Sequence, residues 1–374
     1  MSKLATTNRK SVSAAVAGAS NFHELGRNVA NYIQAPLLHE HWYVCATRDE
    51  ITRDPIAKTI LGHSIVFYRT QEGKPVALQN RCLHRSFPLA KSRLEGDELV
   101  CGYHGARYDS DGKLLRIPCQ KNVPDRALRS YPLKEMGPMV FVWMGKGEPD
   151  NSAFEAINFL EDSAFRSVQG SFEIAASYLL MQENLNDFTH FAFLHNQSFG
   201  VEEDYAETSP DISRKDGKVF SLRAEHDSDM IRAVLTPPGV ASTLAGRSLV
   251  RYDESHSVSP GVFVSRLWTE VDGDPASADG LRAYILHMMT PVSKNSCLYW
   301  WMVAFNHGQD EDEFFEVLPQ FLLGGFSEDV TACEDMQRLL EDDSTDFDEL
   351  NITGDRAGLH FRKILLDWAA QEYA

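Results

Sequence analysis

Two sets of residues in this sequence have types and spacings that suit metals. The first lies in "CLHRSFPLAKSRLEGDELVCGYHG", which holds Cys82 with His84 and Cys101 with His104. Zinc fingers pair like with like, two Cys and then two His, whereas here each turn-rich loop gives one of each. A two-iron cluster with two thiolates on one iron and two imidazoles on the other needs that arrangement, because each loop then reaches both irons. Zinc is the competing reading of the spacing alone. Gly102 and Gly105 stand around the second loop, where backbone amides must approach cluster sulfurs, and Tyr103 is placed to donate a hydrogen bond to one of them.

The second set lies in "ENLNDFTHFAFLH", residues 183–195. His190 and His195 are five apart, Asp187 precedes His190 by three, and Asn184 precedes Asp187 by three. Five residues is about 140° around an ideal helix, so the two imidazoles converge only if the helix is bulged or ends between them. Two His and one carboxylate make the facial triad of non-haem Fe(II) oxygenases, which leaves positions open for O₂. Asp187 shares a helical face with His190 and is better suited to orient that imidazole than to close the metal's face. In "FSEDVTACEDMQRLL" the apolar residues Phe326, Val330, Cys333, Met336 and Leu340 form one stripe, and Asp329 falls inside it. Glu328 and Asp335 point to the other side of that wheel, and Glu334 is at the edge. An acid in an apolar stripe must be paired or bound to metal, so Asp329 is the expected third ligand; capping a helix N-terminus is its competing use.

The elements that must position these residues differ between the halves. From His41 to about Gly147 the pattern is short strands and turns, with hairpins read at 63–80 around "QEGK" and at 130–145 around "MG". Beyond it come five strand candidates between 218 and 305, and helices expected over 182–195, 310–323, 326–341 and 356–371. The fold class is therefore α+β, an N-terminal all-β domain followed by one with an antiparallel sheet. The cluster "MGKGEPDNS" divides the chain into a tail and helix (1–38), a first domain (39–150) and a second (151–374). Charge shifts at the same place. Residues 39–150 carry 17 Lys and Arg against 14 Asp and Glu, a net of +3, and residues 151–374 carry 15 against 39, a net of −24. A chain of net charge −18 is a poor binder of nucleic acid or anionic membrane, and no apolar run reaches the roughly 18 to 20 residues of a span. The weakly apolar N-terminus reads as a floppy tail, which makes the protein cytoplasmic. Cys45, Cys119, Cys297 and Cys333 show no ligand spacing and read as core residues or surface thiols. No nicotinamide-binding glycine fingerprint follows a strand.

The first set, Cys-x-His, a spacer of sixteen, then Cys-x-x-His-Gly and Tyr-Asp-x-x-Gly, resembles the Rieske [2Fe–2S] domain; Ala106 stands where many relatives have Trp. With Asn184, Asp187, His190 and His195 and the late Ser-Glu-Asp helix, residues 39–370 resemble Rieske non-haem iron oxygenases, closest in spacing to the vanillate- and dicamba-demethylase type. The resemblance implies a helix-grip catalytic domain, a Rieske cluster on Cys82, His84, Cys101 and His104, and mononuclear Fe(II) on His190, His195 and Asp329. It implies a head-to-tail homotrimer in which Asp187 bridges His190 to His104 of the neighbouring subunit. Electrons would come from an NAD(P)H-dependent reductase, with or without a ferredoxin. The reaction implied inserts one atom of O₂ into a C–H bond of a small, aromatic substrate, giving O- or N-dealkylation where that carbon bears oxygen or nitrogen. Cis-dihydroxylation of an arene is the alternative within the family. A Rieske electron carrier whose second domain only binds is the alternative outside it. "LHMMTPVSKNSCLYWWMVAF" offers His287, Met288, Trp300 and Trp301 as pocket wall, of which strand alternation can turn only one set inward.

Overall fold

Short strands joined by tight turns build the first half. In the computed structural model, which describes residues 22–374 except 119, 199–202, 208–209, 216–217, 227–237, 275–276, 278 and 343–348, both expected hairpins form. Tyr68 faces Val76 in one, around Gly73 at φ +81°, and Val140 faces Glu135 in the other, around Gly137 at φ +53°. Only glycine adopts such angles without strain. The strands make two three-stranded sheets and one of four. The four-stranded sheet carries the second Cys/His loop at the tip between Glu98–Val100 and Arg107–Tyr108, where Leu99 faces Tyr108. The first Cys/His loop is closed by Cys82 N–H on the Phe87 carbonyl and Ser86 N–H on that of Cys82, each at 3.0 Å.

The second half is a seven-stranded antiparallel sheet. Its order is Arg166–Ile174, Ser296–Phe305, Arg282–Ser293, Val262–Val271, Leu249–Ser259, Lys218–His226, Asp211–Lys215. Alternation splits its apolar residues between two cores. Phe263, Leu267, Tyr299, Trp301 and Val303 pack on the helices. Val262, Val264, Met288, Trp300 and Met302 pack on Trp42, Val44, Phe141 and Trp143 of the first half. One sheet thus holds the helices of the second half on one face and the β half on the other. The last helix ties down the segment before the first strand: Glu372 accepts the amide of His39 at 2.8 Å, and the Tyr373 hydroxyl donates to the Leu37 carbonyl at 2.6 Å. No helix among the described residues is long and apolar enough to cross a membrane.

Two helix expectations are corrected. The spans 310–323 and 326–341 are one helix, Asp312–Asp342, running through Pro319, Gly324 and Gly325. Each glycine costs it about 1 kcal/mol, but burying Leu322 and Phe326 on either side returns about 1.5–3 kcal/mol each, so packing wins. The span 182–195 is not one helix. A helix covers Tyr178–Leu185, capped by the Ser177 hydroxyl, and a separate 3₁₀ turn covers Thr189–Ala192. The break falls where side chains compete for backbone partners: Asn186 Nδ2 donates to the Gln182 carbonyl at 2.7 Å, and Asp187 Oδ1 accepts the Thr189 amide at 2.7 Å. The apolar stripe of the long helix also shifts by one residue. Phe326, Asp329, Cys333 and Gln337 are buried, while Met336 is 41% exposed.

Candidate metal centres

The two Cys/His loops meet at one edge of the β half. Cys82 and Cys101 are buried, 3% and 2% exposed, whereas His84 and His104 lie at the surface with ring centroids 4.6 Å apart. The sulfurs pair with each other and the imidazoles with each other. A single zinc would draw all four onto one point, whereas a two-iron cluster needs a thiolate end and an imidazole end. Burial pushes the Cys101 thiol up, and the amides of Tyr103 and His104, aimed at the sulfur, pull against it. Those amides and both thiols fit a [2Fe–2S] group. The side chain of Tyr103 does not take the role expected of it: it is 58% exposed, beside the His104 ring. Tyr108 does, with its hydroxyl 3.2 Å from Cys82 Sγ while accepting the Leu83 amide at 3.1 Å. Ala106 is buried beneath the loop, a packing residue.

The second centre is assembled across the chain. The 3₁₀ turn brings His190, the loop after it brings His195, and the long helix brings Asp329; one ligand atom from each lies within 4.8 Å of the others. Asp329 Oδ1 stands 3.0 Å from His195 Nε2 and 3.5 Å from His190 Nε2. Burial would raise the Asp329 carboxyl, but the two imidazoles overcome it and hold the group well below the usual carboxylate range. Both ring nitrogens of His190 are buried, and among the described residues they make no hydrogen bond beyond the 3.5 Å ion-pair approach of Nε2 to Asp329. Buried polar atoms are rarely left so. Two imidazoles on one carboxylate, one with its donors idle, fit a divalent iron and its three-residue face.

Three further residues surround it. Asn184 donates from Nδ2 to Asp329 Oδ1 at 3.0 Å, so it fixes the carboxylate. Asp187 places Oδ2 3.9 Å from His190 Nδ1, beyond hydrogen-bond range, while its Oδ1 takes both Thr189 donors. The sequence reading missed Glu328. It reaches back across the helix to His195 Nδ1 at 2.7 Å and accepts the Ser198 hydroxyl at 2.6 Å. Burial would lower the His195 pKa; Asp329 and Glu328 outweigh it and raise it. The available signal was chemical: an imidazole that ligates a metal wants an acceptor on its other nitrogen, and an acid adjoined Asp329.

A cavity opens on this face of the sheet. Phe188, Phe263, Leu267, Ile285, Leu322 and Phe326 belong to its apolar wall, and the three candidate ligands stand at one part of it. Of the four residues offered as wall, His287 lines it, bonded through Nδ1 to the Tyr299 hydroxyl at 2.6 Å. Met288, Trp300 and Trp301 are sheet core. Burial lowers the His287 pKa to about 4, so it enters the wall as a neutral ring.

Known families divide the chain at the same two centres. The Rieske [2Fe–2S] domain matches residues 41–132, and the vanillate O-demethylase oxygenase C-terminal domain matches residues 174–371. The chain belongs to the Rieske non-haem iron oxygenases of the vanillate O-demethylase type. Within this family it is 31% identical to a toluene-4-sulfonate monooxygenase system iron–sulfur subunit of Comamonas testosteroni, over 87% of this chain and 95% of that one. It is 29% identical to a vanillate O-demethylase oxygenase subunit of a Pseudomonas species, over 87% and 92%. It is also 29% identical to the oxygenase component of chloroacetanilide N-alkylformylase of Rhizorhabdus wittichii, over 88% and 94%. Its fold is that of dicamba monooxygenase bound to 3,6-dichlorosalicylic acid, at TM-score 0.79 and 22% identity, covering 91% of this chain and all of that one. The expected α+β class, an all-β Rieske region followed by an antiparallel sheet packed on helices, is the one observed, and the chain is the oxygenase component of such a system.

Proposed function

We propose that this oxygenase removes an O- or N-alkyl group from a substituted aromatic compound. The observation that carries this reading is the convergence of His190, His195 and Asp329 on an aromatic-walled cavity. In this reading residues 39–150 form the Rieske domain and 151–374 the catalytic domain, behind a tail and helix at 1–38. Cys82, His84, Cys101 and His104 hold the cluster; His190, His195 and Asp329 hold iron. When bound, the two groups supply electrons and the reduction of O₂. The protein's own part is positioning. Asn184 and Glu328 fix Asp329 and His195. The phenylalanines hold a flat ring and keep water from the reacting carbon.

Relatives that act on vanillate, dicamba and chloroacetanilide, by O-demethylation or N-alkyl removal, support dealkylation over ring dihydroxylation. The exposed imidazoles of His84 and His104 suit electron exchange with a partner. The opposed charges, +3 on residues 39–150 and −24 on 151–374, favour a head-to-tail homotrimer that sets His104 of one copy near Asp187 of the next. A reductase using NAD(P)H, directly or through a ferredoxin, feeds the cluster, and the setting is cytoplasmic. The test is a product screen of the reconstituted enzyme with methoxy-, N-alkyl- and unsubstituted aromatics. Formaldehyde released in step with O₂ and NAD(P)H consumption is expected. Ring diols from the unsubstituted arenes, with no aldehyde, would overturn the reading.

A further inference from the structure

The polar end of the cavity carries information about the substrate that the iron ligands do not. Arg251, Asp253 and Ser255 are alternate residues of strand Leu249–Ser259 and line the same cavity as His190, His195 and Asp329. Arg251 is 4% exposed and grips one oxygen of Asp253, with Nε at 3.0 Å and Nη2 at 2.8 Å from Oδ1. The second oxygen, Oδ2, is buried and has no hydrogen-bond partner among the described residues. A buried carboxylate oxygen with no donor loses its water and gains nothing in exchange. Beside it the hydroxyls of Ser255 and Ser265 are 3.0 Å apart and share one hydrogen bond. Among the described residues a second cation on the cavity's rim, Arg266, has its guanidinium 4.9 Å over the Trp268 ring.

We infer that Asp253 is a specificity residue, whose Oδ2 accepts a hydrogen bond from an O–H or N–H on the substrate's ring. The inference rests on the oxygenase reading of the cavity and narrows it to a substrate class. The preferred substrate is a flat apolar ring bearing the alkyl group that is removed and, elsewhere, a neutral donor such as a phenol hydroxyl or an amide N–H. The Arg251 charge is already matched by Asp253, so a ring carboxylate at this end meets an acceptor of its own sign. The site therefore selects against the anion and for the donor.

Three probes of nearly equal size separate these cases: 3-methoxyphenol, 1,3-dimethoxybenzene and 3-methoxybenzoate. Equilibrium binding to the reduced holoenzyme without O₂ should favour the phenol over the diether by roughly tenfold, a common worth for a hydrogen bond to a charged acceptor, with the benzoate weakest. In Asp253→Asn the Arg251 contact keeps the amide oxygen and turns an N–H donor into the cavity. The order should reverse, with the diether and benzoate gaining and the phenol losing. A merely structural role would weaken all three alike. Equal affinities in the unaltered enzyme, or no binding of any probe, overturn the inference whether or not the variant folds. Formaldehyde release from the probes is scored separately. Release without selectivity sinks this inference alone, and selectivity without release sinks the dealkylation reading alone.

Discussion

The two candidate metal centres are built in opposite ways. The Cys/His loops draw their four residues from one stretch, 82–104, one loop joining two sheets and the other at a hairpin tip, and leave both imidazoles at the surface. The second centre draws on residues more than 130 positions apart, buries His195 and Asp329 to 0% and 4% exposure, and sits in an apolar cavity. The contrast fits a division of labour. An electron carrier needs an exposed edge, because transfer to a partner falls off with distance, while oxygen chemistry needs water excluded. Their independence also differs in kind: backbone amides and turns shape the first, whereas side chains on separate elements shape the second, so single substitutions should strike the second harder.

The largest test of this separation is Asp329→Ala. It should abolish turnover and lower iron from about three to about two per chain while the visible absorption of the cluster stays unchanged. Cys101→Ser should do the reverse, removing the cluster absorption. If Asp329→Ala removes both, the centres are not separate as described; if Glu334→Ala rather than Asp329→Ala removes the iron, Asp329 is not the third ligand. Next is Asp187→Asn, which probes the link between them. Thr189 holds Oδ1 with two 2.7 Å bonds and leaves Oδ2 toward His190. In the proposed head-to-tail trimer the amide should keep both metals yet lose most turnover, because it cannot accept from His190 and the neighbouring copy's His104 at once. Rapid oxidation of the pre-reduced cluster in a single turnover of the variant, with substrate and O₂, would remove Asp187 from the electron route.

The same contrast explains what could be read from the sequence. Cys82, His84, Cys101 and His104 were legible because their geometry is set by local turns whose spacing is written in the chain. His190 and His195 were legible as a pair, but the helix break between Leu185 and Thr189 was not. Phe188 and Phe191 carry an apolar pattern through it, and the breaking force is side-chain competition at Asn186 and Asp187. Asp329 was legible because an acid in an apolar stripe demands a reason. The stripe itself was one residue off: Gln337 is buried and Met336 exposed, as Gln337 accepts the Ser177 amide at 3.0 Å, a tertiary bond no periodicity reports. Glu328 was hidden by the wheel, which fixes where a Cα points but not how far a long side chain bends back. The Asp253 and Arg251 pair was hidden because polar residues on a strand read as its wet face.

Glu328 gives the third test. Its contact with His195 Nδ1 sets the tautomer that turns Nε2 toward Asp329 Oδ1, 3.0 Å away, where the metal would lie. Removing such a partner costs roughly 10- to 100-fold in metal affinity, so Glu328→Ala should release Fe(II) to a chelator at correspondingly lower concentration. Glu328→Gln should lose less, since its amide oxygen still accepts from Nδ1. Equal iron retention in all three proteins would show that the contact does not support the metal.

The smallest expected effect concerns the first centre, and it separates two tyrosines. The Tyr108 hydroxyl already accepts the Leu83 amide, so its own proton is directed to Cys82 Sγ at 3.2 Å. Burial, followed by the neighbouring Cys82, pushes the phenol well above its ordinary pKa, so it stays protonated and able to donate at any working pH. A thiolate in a reduced cluster carries more charge than in an oxidised one and gains more from that donor, which raises the potential. If the gain differs by about 1 kcal/mol between the two states, one electron registers it as roughly 40 mV. Tyr108→Phe should therefore lower the cluster potential by tens of millivolts and leave the cluster in place, because the ring still fills its buried position. Tyr103→Phe should leave the potential where it was, as that side chain is 58% exposed and lies against His104 rather than a sulfur. Potentiometric titration of the two variants decides between them. A shift in Tyr103→Phe and none in Tyr108→Phe would mean that the donor to sulfur is the residue the loop spacing first suggested.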